Sequence, residues 1–122
     1  MSDKVFDDVH KFLVACGQTA NMPNPIQAEL YKKLIDEEYN EFIEAHEAGD
    51  KVEELDACFD MIWVIVGFMK SRGWDCEKSW DEGAKSNLSK IDKKTGKVIK
   101  REDGKILKPE GWKEPNFKKF MV

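Results

Sequence analysis

The sequence predicts an all-α, four-helix bundle-like domain that ends in a small C-terminal β-hairpin and an extended arm. Three observations carry this expectation. Apolar residues recur at helical spacing through four segments between Val5 and Leu88. Capping residues, prolines and glycines fall where such segments must start and stop. β-like texture is confined to two short pieces after Lys90, on either side of an Asp-Gly pair.

In the first helix Val5, Phe6, Val9, Phe12 and Leu13 make the apolar stripe; Ser2 and Asp3 can cap it, and Gly17 ends it. Gln18 to Pro25 reads as a loop held by Pro23 and Pro25. Pro25 then starts a long helix that runs to Ala48 and stops at Gly49. Asp50 opens the third helix with Glu53 three positions on, the capping-box spacing, and that helix reaches Ser71 or Arg72 with Gly73 behind it. The fourth runs from near Asp75 toward Ser89 with Trp80, Ala84 and Leu88 on one side, and Gly83 weakens it by up to ~1 kcal/mol relative to alanine. Val98 to Lys100 and Lys105 to Leu107 read as the hairpin, turning at Glu102, Asp103 and Gly104. Lys108 to Val122, with two prolines and Trp112, reads as the arm.

A chain of 122 residues and 14.1 kDa has room for one domain, expected over 1–122, with a helical body over 1–90 and a basic hairpin and arm over 91–122. With 41% hydrophobic and 36% charged residues, it has core enough to exclude a wholly disordered chain. The longest apolar run, Met61 to Met69, is far short of the ~20 residues that span a bilayer, and no leader pattern opens the sequence, so no membrane association is expected. Cys16, Cys58 and Cys76 are odd in number and too far apart for a CxxC pair, and they read as reduced packing thiols of a cytoplasmic protein. Charge is unevenly divided. Residues 1–84 hold 8 basic and 19 acidic residues, a net −11, whereas residues 85–122 hold 12 and 5, a net +7. Such a division suits a body that holds cations and a tail that meets phosphates, or a tail that lies across an acidic neighbouring subunit.

Turning each residue by about 100° along the second helix places Leu30, Leu34, Tyr31, Phe42 and Ile35 on one arc. Glu41 and Glu38 fall inside that arc and Glu37 at its margin, while Lys33, Asp36, Asn40 and Glu47 take the solvent side. In the third helix Leu55, Phe59, Ile62 and Val66 form an apolar stripe, and Glu53, Asp56 and Asp60 form a second stripe roughly 100° to 160° away. Two adjacent antiparallel helices that both turn acids inward make a pocket of carboxylates. Lys51 is the only Lys or Arg between Asp36 and Lys70, so mutual repulsion must either raise pKa values or draw in cations. Hard divalent ions, Mg²⁺ or Mn²⁺, suit an all-oxygen cage. The plainer reading of the same acids is two amphipathic helices with solvated carboxylates. A ferritin-like di-iron site needs Glu-x-x-His, and position 43, three before His46, is Ile. His10 and His46 read as surface residues, and Trp63, Phe68 and Trp80 as core.

Glu37-Glu38-x-x-Glu41, then Asp56-Ala57-x-x-Asp60 and an apolar run to Gly67, resembles the all-α nucleotide pyrophosphohydrolases, the MazG and phosphoribosyl-ATP pyrophosphohydrolase-like superfamily. The strings Lys85-Ser86-Asn87-Leu88-Ser89-Lys90 and Arg101-Glu102-Asp103-Gly104-Lys105 look like its short single-domain branch. The resemblance implies Mg²⁺-dependent cleavage of a nucleoside triphosphate between the α- and β-phosphates. It makes Glu38, Glu41 and Asp60 metal ligands with Glu37 the adjoining acid, and the chemistry of water attack adds a proton acceptor, for which Glu37 or Glu41 is expected. One departure stands out: the superfamily's second pair is Glu-x-x-Asp, and the residue three before Asp60 is Ala57, so Asp56, or else Glu53, takes the missing place. Lys85, Asn87 and Lys90 are expected to hold phosphate and sugar or base. A homodimer or a dimer of dimers is expected, and nucleic acid is not expected as a partner.

The leading functional expectation is nucleotide-pool housekeeping on a (deoxy)nucleoside triphosphate. The enzymatic alternative is phosphoribosyl-ATP hydrolysis. From another class comes a helical interaction module without catalysis, which an inability to bind divalent metal would favour.

Overall fold

A computed structural model describes residues 4–121, which form two compact units, 4–76 and Glu77–Met121. The first unit is built from α1 (Lys4–Ala15), α2 (Pro25–Ala48) and α3 (Lys51–Ser71). Ser2 and Asp3, expected as caps of α1, lie outside the described residues. Asn24 caps α2 by accepting a 3.1 Å hydrogen bond from the Gln27 N–H, with Pro25 at the first helical position. At the other end Gly49 takes the left-handed conformation (φ 70°) that a side chain would disfavour, and its N–H meets the last carbonyls of α2. Asp50 caps α3 by accepting from the Glu53 N–H at 3.1 Å. The reciprocal half of the expected capping box is taken by the fold instead, because the Asp50 N–H donates to the Ala45 carbonyl of α2 at 3.0 Å.

The core is small. Val9 and Leu13 of α1 are fully buried with Tyr31 of α2, Val64 and Val66 of α3, Ala20 and Cys76. Phe6, Leu34, Ile35, Trp63, Phe68 and Met69 pack against it. The α1–α2 loop is fastened by a buried amide: Gln27 Oε1 accepts from the Thr19 N–H, and its Nε2 donates to the Thr19 carbonyl and to Ser71 Oγ at 2.9 Å. Four side chains that periodicity places on apolar stripes are instead exposed, namely Leu30, Leu55, Phe59 and Ile62. Helical period shows that a stripe is apolar, not that this chain supplies its cover, and Val52, Leu55, Phe59 and Ile62 run together along α3.

In the second unit α4 (Cys76–Leu88) carries the arm. Ser86, buried, donates through Oγ to the Lys113 carbonyl, and the Trp112 indole N–H donates to the Ser86 carbonyl at 3.0 Å. Glu82 accepts from the Asn116 N–H and from Lys119 Nζ, and a 3₁₀ turn, Phe117–Phe120, follows. The arm is therefore folded back on α4. Trp80, expected in the core, is 57% exposed.

The expected β-hairpin does not form. The chain does reverse at Glu102–Gly104, with an Arg101 N–H to Lys105 O bond of 2.7 Å, but only the isolated bridge Lys100↔Ile106 results among the described residues. Ile99, Ile106 and Leu107 are all exposed, so no apolar face is covered. A two-stranded ribbon with nothing packed on it is marginal in water, and the Asp-Gly turn alone does not extend it into strands.

Candidate metal and nucleotide site

The site begins with the register of α2 against α3. Tyr31 packs over Gly67, where an added Cβ would stand within 3 Å of three ring atoms, so the helices approach closely there. Four residues toward the open end of the pair, Gln27 meets Ser71. Seven residues the other way along each helix stand Glu38 and Asp60, two turns from the Tyr31 and Gly67 contact. The antiparallel register thus brings together acids that are 22 positions apart in sequence.

Glu38, Glu41 and Asp60 each offer a carboxylate oxygen, and these oxygens lie within 4.8 Å of one another. Glu38 and Asp60 are half-buried, and Glu41 is exposed. Glu38 Oε2 is buried without a hydrogen-bond partner among the described residues. None of the three carboxylates takes part in the ion pairs Lys4–Asp8, Lys32–Asp36, His46–Glu54, Arg101–Asp103 and Lys119–Glu82. Burial first, then a hydrogen bond to Glu41 and the charges of Asp60, Glu41 and Asp56, push the Glu38 carboxyl up to about 7. Asp60 is raised by burial, then by the charges of Asp56 and Glu41, with a hydrogen bond to Glu38 pulling the other way. A cluster of acids held together with no cation strains toward protonation or toward a bound cation.

The remaining residues expected at the site are placed differently. Asp56 is exposed and acts on Glu38 and Asp60 through its charge, but its carboxylate is not in the triad. Glu53 is exposed in the first turn of α3, and Glu37 is exposed beside Glu38. Ala57, where the superfamily pattern has an acid, is 2% exposed. By the same register it lies across from Glu41, against α2.

Lys85, Asn87 and Lys90 belong to the second unit. Lys90 Nζ donates to Asn87 Oδ1 at 3.3 Å and stands 5.2 Å from the centroid of the Trp112 ring, with Lys108 Nζ at 4.7 Å from the same ring. Lys85 lines an open pocket with Ser86, Ser89, Trp112 and Lys113. Sequence reasoning did not link Trp112 to Lys90, because nothing in a local period connects residues 22 positions apart.

The sequence model of one family, phosphoribosyl-ATP pyrophosphohydrolase, matches residues 6–87. A search of curated proteins finds no match. The matched stretch holds α1 from Phe6 onward, all of α2 and α3, all three clustered acids, Lys85 and Asn87, and it stops short of Lys90 and the arm.

Proposed function

The chain belongs to the phosphoribosyl-ATP pyrophosphohydrolase family, within the MazG-like all-α pyrophosphohydrolases, and from that premise we propose that it cleaves the α–β phosphoanhydride of a (deoxy)nucleoside triphosphate to monophosphate and pyrophosphate. The observation that carries this reading is the carboxylate triad of Glu38, Glu41 and Asp60 with the orphaned Glu38 Oε2. Those residues suit Mg²⁺ or Mn²⁺: the donors are all oxygen, and a buried acceptor without a donor calls for a positive group. When bound, such an ion supplies charge neutralisation on the phosphates and a lowered pKa for water.

The protein's own part is to hold that charge and to move a proton. Glu38 and Asp60, half-buried and fixed by the helix register, serve as ligands with Glu41, while Asp56 adds field from outside the triad. Glu37 or Glu41, both exposed, accepts the proton of the attacking water. Lys85, Asn87 and Lys90 are assigned to the substrate's phosphates and sugar or base. We take both units as one functional domain of a cytoplasmic homodimer or dimer of dimers. The support for self-association is the α3 stripe, with Val52 at 77% and Leu55 at 71% exposure.

Phosphoribosyl-ATP is the second reading, favoured by the family description itself. Pyrophosphate release from the canonical deoxynucleoside and nucleoside triphosphates is to be measured beside release from phosphoribosyl-ATP, all with Mg²⁺. Faster release from a nucleoside triphosphate supports the proposal. The reverse order assigns the second reading, and no release from either overturns both.

A further inference from the structure

Asp56, Asp60 and Trp63 stand at i, i+4 and i+7 in α3, on one side of the helix, so the indole follows the acids by a single turn. One flank of Trp63 rests on the core built by Val9, Leu13 and Val64. Phe12 of α1 meets its ring edge-on, at 5.5 Å between centroids and 79° between planes, and Phe59 is tilted against it at 5.7 Å. Trp63 is nonetheless only half-buried, and Phe12 is 52% exposed. The indole N–H has no acceptor among the described residues, whereas that of Trp112 donates to Ser86. The result is a large aromatic surface braced on three sides, one helical turn along α3 from Asp60 of the one such carboxylate cluster among the described residues.

From this placement we infer that Trp63, edged by Phe12, is the stacking platform for the nucleobase of the substrate whose phosphates go to the Glu38, Glu41 and Asp60 cluster. The inference rests on the pyrophosphohydrolase reading and adds to it how the base is held. An aromatic braced before ligand arrives loses little freedom on stacking, and every base offers it a π-face. Recognition by stacking tolerates many bases and penalises the lack of one. Phosphoribosyl-ATP carries a base as well, so the platform serves either substrate.

The test compares Trp63→Leu and Trp63→Phe with the wild type on the best canonical nucleoside triphosphate and on methyl triphosphate, which has the same phosphoanhydrides and no base. Binding of the corresponding nucleoside monophosphate, without turnover, is measured by calorimetry alongside. Trp63→Leu is expected to raise KM for the nucleotide and Kd for the monophosphate by at least about fivefold, with Trp63→Phe restoring most of the loss. Methyl triphosphate kinetics are expected to stay within about twofold in both variants, as is the oligomer mass by light scattering. Equal losses on both triphosphates, unchanged monophosphate binding, or a changed oligomer mass would each overturn the platform. If the wild type cleaves no triphosphate and no phosphoribosyl-ATP, the pyrophosphohydrolase reading falls, and the platform then stands or falls on the monophosphate Kd alone. A Trp63→Leu chain that does not fold leaves Trp63→Phe and Phe12→Leu, for which a nucleotide-selective loss in Phe12→Leu is the supporting result and none the overturning one.

Discussion

The Tyr31 ring occupies the space in which a side chain at Gly67 would begin, and this one contact sets how closely α2 and α3 approach. Tyr31 cannot swing away freely, since its hydroxyl donates to Gln18 Oε1 at 2.6 Å and the residue is 4% exposed. Gly67→Ala therefore overpacks the helix pair, at an expected cost of about 1–3 kcal/mol. The check is the denaturant midpoint, with divalent-metal affinity as the second readout, because Glu38 and Asp60 depend on the same register. An unchanged midpoint would mean that the contact yields without cost.

The raised Glu38 carboxyl gives a pH dependence with a definite sign. Between the ordinary value of 4.5 and about 7, the folded protein keeps a proton that the unfolded chain has released. Stability of the metal-free protein is therefore greatest below 4.5 as far as this group is concerned, and it falls as pH rises to about 7. Glu38→Gln should flatten that slope and raise the metal-free melting temperature at pH 8. Saturating Mg²⁺ should flatten the wild-type slope as well. A slope unchanged in Glu38→Gln would assign it to another group.

The same variant tests the ligand assignment. Glu38→Gln keeps the size of the side chain and removes a charge, so turnover at saturating Mg²⁺ should drop by about 100-fold or more with helicity intact. Near wild-type turnover would remove Glu38 from the proposed metal site.

Asp60 and Asp56 offer a graded comparison. Asp60 has an oxygen in the triad and Asp56 does not. Asp60→Asn should weaken Mg²⁺ binding by at least about tenfold more than Asp56→Asn, measured by calorimetry. Equal losses would return Asp56 to the ligand set as the replacement for the acid missing at Ala57.

Lys90 is proposed to meet phosphate, yet it already stands over Trp112 and bonds Asn87. Lys90→Met should raise KM several-fold, with kcat following only if the contact strengthens in the transition state. Lys93→Met, exposed in the loop beyond, is the control and should do little. Trp112→Leu separates the two roles of Lys90: if it reproduces the Lys90→Met effect, the lysine works by anchoring the arm.

Helix positions were legible in the sequence because their signals are local. Pro25 and Gly49 bracket α2, and Asp50 caps α3, through contacts that reach no further than a few residues. That Glu38 and Glu41 share one side of their helix and Asp60 turns toward a neighbour was legible too, since 3.6-residue periodicity fixes angular position about an axis, although Glu41 stays exposed. The hairpin was misread from an equally local signal, because a turn sequence reports the reversal and not whether anything covers the strands.

By itself, then, the sequence determined the four α-helices, the residues that cap and stop α2 and α3, and which acids share a face with apolar neighbours, but not the 3₁₀ turn Phe117–Phe120 in the arm. Only the tertiary structure decided that Tyr31 sits on Gly67 and so puts Glu38 beside Asp60. It also decided that Leu55 and Phe59 go uncovered and that Lys90 lies over Trp112. The physical reason is that periodicity encodes direction around one helix. The offset between two helices, and what stands opposite an apolar face, come from the packing of distant side chains.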